Sequence, residues 1–108
     1  MMFRVITRNA WSKISDETYA EKTQKELVRE LFGDDEQMAD NQLIFIGPKD
    51  SDPRDIIASL CAMIETQAKR GETMLENGIV DISFDQFIGI RSLAEKIVEV
   101  AKEIPNVE

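Results

Sequence analysis

The side chains that most enzymes use to move protons or hold metals are nearly missing from this chain. Its 108 residues include no histidine and one cysteine, Cys61. Without histidine, Ser-His-Asp and Cys-His nucleophile pairs cannot be built in their usual form. Every histidine-containing zinc site goes with them, and one thiolate cannot make a four-cysteine site. Neither common glycine-rich phosphate loop, GxGxxG or GxxxxGK[ST], is present. Hydrolytic, zinc and nucleoside-triphosphate chemistry are therefore disfavoured, while carboxylate-only catalysis survives. The expectation is a protein with no catalytic residues, no metal and no cofactor.

Three polar groupings remain. Asp34, Asp35, Glu36 and Asp40 concentrate carboxylates, but their spacing fails the calcium-loop pattern, which needs a glycine at position six and a glutamate at twelve. They read as a solvated acidic connection. GPKDSDPRD, residues 47–55, places Lys49, Ser51 and Arg54 near an expected helix N-terminus, where free backbone donors attract anions. Asp50, Asp52 and Asp55 oppose an anion there, and a turn followed by a helix cap accounts for the same residues. Arg4, Arg8, Trp11 and Lys13 form a basic start around the single tryptophan. Such residues anchor interfaces, and a lone tryptophan beside a helix entry also packs on a core. Cys61 lies on an apolar helical stripe and reads as a core residue.

The net charge is −8, unevenly spread. Residues 1–14 carry +3, residues 15–40 carry −6, and the remainder is mildly acidic. Phosphate contact needs clustered Lys and Arg, so neither nucleic acid nor an anionic membrane is an expected partner. Acidity of this kind favours encounter with basic proteins. No leader-like segment or membrane-length apolar run is visible, and the free thiol suits a reducing compartment. A cytoplasmic protein of one domain, residues 1–108, is expected.

These residues have to be positioned by secondary structure. MFRVITR, residues 2–8, alternates as a strand does. Ser15 with Asp16 and Glu17 resembles an N-cap and acidic first turn, predicting a helix over 16–32 that stops at Gly33. LIFI, residues 43–46, reads as a short strand, buried on both faces if its apolar run is taken at face value. Asp52-Pro53 opens a helix with a stripe at Ile57, Leu60, Cys61, Ile64 and Ala68, running to about residue 76 before Asn77-Gly78. IVDI, residues 79–82, can add a strand. Ser83 to Gln86 fits a capping box that opens a helix over 84–104, with Ile82 and Phe87 as a hydrophobic staple. The expected fold is α/β or α+β, a short sheet of two or three strands covered by three helices. The alternative is a mainly helical fold with a minor hairpin.

The last helix is the most regular stretch. Ile90, Leu93, Ile97, Val100 and Ile104 follow 3-4 spacing, and a parallel row through Phe87 and Ala94 widens the apolar arc to about 160°. Covering the chain's own core and meeting a second copy are both consistent with such an arc. The leading functional expectation is a non-enzymatic regulator or inhibitor, immunity- or antitoxin-like, that covers a basic, nucleic-acid-handling protein. Glu17, Glu21, Glu26, Glu30, Asp34, Asp35 and Glu36 would be its acidic face. Self-association through Ile90, Leu93, Ile97, Val100 and Ile104 would give a homodimer or higher oligomer. The alternative is a small-anion binder using Lys49, Ser51 and Arg54 at a homo-oligomer interface.

Overall fold

The computed structural model describes residues 2–8, 14–21, 26, 29, 33 and 43–105. Three strands, β1 (Phe3–Arg8), β2 (Ile14–Ala20) and β3 (Leu43–Pro48), are followed by α1 (Pro53–Glu76) and α2 (Val80–Ala101). The sheet order is β2-β1-β3, and β1 is antiparallel to both neighbours. The architecture is α+β, with an antiparallel helical hairpin laid across one face of the sheet.

This corrects the expected fold in three places. Among the described residues there are two helices, not three, and no parallel pairing. Residues 14–20 form a strand, not the start of a helix over 16–32. Their acids mimic a helix first turn, but pairing with β1 overrides that local preference, setting Val5 against Thr18 and Ile6 against Glu17. Glu26 and Arg29 do have helical backbone, and Gly33, at φ 65, donates its N–H to the Arg29 carbonyl at 2.7 Å. Apart from Glu21, the rest of the 16–32 span beyond the strand lies outside the described residues. Finally, residues 80–82 belong to α2, not to a strand. Ser83 is therefore inside the helix, where its hydroxyl donates to the Val80 carbonyl at 2.6 Å and caps nothing.

Each element has a local cause. The Asp52 side chain accepts the Arg54 N–H at 2.9 Å and Pro53 holds the first helical position, so α1 begins where its cap dictates. It ends in a left-handed glycine turn. Gly78 has φ 75, its N–H reaches the Leu75 carbonyl, and the Ile79 N–H reaches that of Met74, the paired bonds of a Schellman motif. A residue with a Cβ would be strained there. The tight turn sends α2 back antiparallel to α1.

The core joins β1 and β3 to the near halves of both helices. Ile6, Ile44, Ile56, Leu60, Leu93 and Val100 form it, with Phe45, Met63, Ile64 and Ile97 packed around. Burying each large aliphatic side chain contributes roughly 1.5–3 kcal/mol. Between the pairs Ile6–Phe45 and Thr7–Leu43, β3 has one residue more than β1, a bulge at Ile44 that lets adjacent residues join one cluster. Val5, on the opposite face of β1, is also fully buried. β3 is only half-buried apart from Ile44, because it is an outer strand, so its apolar run did not mean burial on both faces.

The helices are longer than the sheet beneath them. At 1.5 Å per residue α1 extends about 36 Å, against about 20 Å for a six-residue strand. The molecule is a slab of 46 × 45 × 17 Å with a radius of gyration of 15.1 Å, above the ~13 Å of a compact chain of this length. Among the described residues, one broad face of the hairpin is left without cover. No helix among the described residues is long and apolar enough to cross a membrane.

Candidate interaction surface

The inner side of α2 is fastened to the sheet by charge as well as by packing. Arg4, almost wholly buried, gives Nε and Nη2 to Glu17 at 3.0 and 2.6 Å, and Nη1 and Nη2 to the two oxygens of Glu103 at 2.8 Å each. Lys96 adds ion pairs to Glu17 at 3.2 Å and to Glu99 at 3.1 Å. The Glu103 hydrogen bonds, aided by Glu17, raise the Arg4 pKa despite burial. The same bonds from Arg4 lower the pKa of Glu103. Glu17, expected on an outward acidic face, is thus spent inside the molecule. Glu21 and Glu26 are exposed, and Glu30, Asp34, Asp35 and Glu36 lie outside the described residues.

Arg8 is the second cation turned inward from β1. Its Nη2 donates to Gln67 Oε1 at 3.0 Å, while its Nε is buried with no hydrogen-bond partner among the described residues. Burial, and then the nearby Arg70, lower its pKa. Gln67 in turn lies against Gly89, where a Cβ would come within 2.6 Å of its Nε2. Gly71 does the same for the Phe87 ring at 2.9 Å. These two glycines let α1 and α2 approach closely, which accounts for a glycine inside each helix. Trp11 and Lys13, the other members of the basic start, lie outside the described residues.

In the 47–55 loop the three residues expected to hold an anion each have a contact within the chain. Ser51 donates to the Pro48 carbonyl at 2.6 Å, Arg54 pairs with Asp52 at 3.5 Å, and Lys49 sits 5.8 Å over the Tyr19 ring. The turn uses Ser51 and the helix cap uses Arg54, while Lys49 lies over an aromatic ring. Among the described residues, no group of three or more metal-ligating side chains converges.

The expected self-association face also points elsewhere. Leu93 and Val100 are 0% exposed and Ile90, Ile97 and Ile104 are half-buried, so this stripe is taken up by the chain's own core. A second stripe lies about a third of a turn round the helix. Val80, Phe84, Phe87, Arg91, Ala94 and Val98 recur at alternating steps of four and three and are all exposed. Val80, Phe84, Phe87 and Val98 are between 40% and 57% exposed. Ile79 adds apolar surface at the turn, and Ile82 and Ile88 are exposed on other sides of the helix. Toward Pro105 the row runs into an open depression of about 680 Å³ lined by Ile97, Val98, Ala101, Lys102 and Ile104.

A step of 4-3-4-3 is the spacing of a helix seam that packs on another helix. Here that seam faces away from the sheet. Cys61, expected in the core, is exposed on the same outer side of the hairpin, because α1 turns Ile56, Leu60, Gln67 and Gly71 inward instead. No known protein-family model matches the chain, and no curated protein or solved structure is significantly similar to it.

Proposed function

We propose that this protein is a non-enzymatic interaction protein, a small acidic regulator or inhibitor, that works by binding another protein chain through the outer face of its helical hairpin. The observation that carries this is the exposed row Val80, Phe84, Phe87 and Val98 at helix-seam spacing. Scattered apolar side chains are ordinary on a surface; a contiguous row of this size on one helix marks an interaction site. Lack of histidine and of phosphate loops favours binding over catalysis. The net charge of −8 would speed encounter between the assembled protein and a basic macromolecule in the cytoplasm, while the apolar row supplies adhesion.

Carbene footprinting tests this irrespective of the occupant. Phe84, Phe87 and Val98 should be protected inside the source cell and labelled in dilute purified protein. Equal labelling in both would reject an interaction role for this face.

A further inference from the structure

We infer that the chain seated on the outer face of the hairpin is a second copy of this protein, so that two hairpins close into a four-helix bundle with a sheet on each outer side. The inference rests on the proposed role of that face and names its occupant. α1 carries a matching outer row: Ala58, Cys61, Glu65, Ala68, Glu72 and Leu75, at alternating steps of three and four, all exposed. The two rows differ in kind. That of α2 is bulky apart from Ala94, with one cation, Arg91; that of α1 has three small residues, two acids and Leu75.

The contacts of Gly71 with Phe87 and of Gly89 with Gln67 set which residues of the two helices are level. By that alignment Arg91 is level with Glu65, Phe87 with about residue 70, and Val98 with about residue 59. Turning a second copy by a half rotation about an axis along the hairpin lays α2 of one copy antiparallel on α1 of the other at the same level. Arg91 then faces Glu65 of the second copy, Phe87 faces Ala68, Val98 faces Ala58 and Ala94 faces Cys61. From Phe87 to Val98 large side chains meet small ones and the cation of one row meets an acid of the other; nearer the turn Phe84 is level with Glu72 and Val80 with Leu75. Stacking α2 on a parallel α2 would instead set Arg91 against Arg91 and Phe84 against Phe84.

The area is adequate. A face about 36 Å long and about 20 Å wide offers about 700 Å² per copy, close to the ~800 Å² per partner of a stable interface. Among the described residues of one chain Arg91 pairs with Glu95 at 3.4 Å on the same exposed face, so Glu65 of the second copy would add a second carboxylate.

Native mass spectrometry and sedimentation equilibrium of the purified full chain test this. The wild type should show twice the 12.3 kDa chain mass. Arg91→Glu and Glu65→Arg should each weaken the dimer by about tenfold or more, and the double variant should restore it. A dimer indifferent to both single changes would overturn this interface. A wild type that stays monomeric at about 100 µM would overturn the second copy as occupant. If the footprint in the cell still showed protection, the interaction role would stand with a different partner. Without protection, both would fall.

Discussion

Helix α2 has two apolar stripes, and they have opposite fates. Leu93 and Val100 are sealed against Ile6, Ile56 and Leu60, while Phe84 and Val98, on the same helix, are more than half exposed. Both stripes run at the same alternating spacing, aliphatic throughout in one and interrupted by Arg91 in the other. What separates them is tertiary: the three-stranded sheet covers one side of the hairpin, and among the described residues nothing covers the other. Hydrophobic periodicity reports that a face wants cover, not which neighbour supplies it.

Truncation should separate the stripes most sharply. Leu93→Ala removes side-chain volume from a closed core and should cost about 4 kcal/mol in urea denaturation. Val98→Ala, outside the fold, should change the stability of the dissociated chain by less than about 0.5 kcal/mol. Equal losses would erase the distinction. Arg4→Met should come next, at about 2 kcal/mol, because Glu103 loses both bonds from the guanidinium and Glu17 is left with Lys96, while solvent reaches both carboxylates. A small effect would mean the inner side is held by packing alone. Gly89→Ala sets a gain in helix propensity of about 1 kcal/mol against crowding of Gln67, which costs up to about 3. A net loss of about 1 kcal/mol is expected, and a net gain would show that the hairpin has slack at this crossing.

The smallest effect concerns pH. The Glu103 pKa lies below its ordinary 4.5 in the folded chain because of Arg4. A carboxylate so depressed contributes stability above its unfolded pKa, and that contribution disappears as pH falls through the folded value. Denaturation midpoints should therefore decline below about pH 4.5, and Glu103→Gln should flatten the decline. An unchanged slope would show that the Arg4–Glu103 bond does not fasten the end of α2.

Parts of this structure are legible in the residues alone. β1 shows in the alternation of MFRVITR, and α1 is bounded by Asp52-Pro53 and Asn77-Gly78, whose cap and turn geometry are local. β2 is hidden because Asp16 and Glu17 imitate a helix start, whereas the partner that fixes Glu17 is Arg4, a whole strand away. The start of α2 is hidden because Ser83 and Gln86 happen to fit a capping box, yet Gly78 has already turned the chain and the helix begins at Val80. For the interaction surface, the broad apolar arc of α2 is visible, but Leu93 and Val100 look no more buried than Val98 does. Cys61 fails for the same reason: a shift of one residue in the buried stripe of α1 puts Ile56 inside and Cys61 outside.

The claim that the bare stripe closes on a second copy can be met most directly by the thermal midpoint as a function of protein concentration. Association with a copy of itself stabilises the folded chain by mass action. A hundredfold rise in wild-type concentration should lift Tm by about 5 °C, while Val98→Asp should give a flat line. A wild-type Tm that does not move with concentration, or a Val98→Asp variant that moves as much as the wild type, would contradict it.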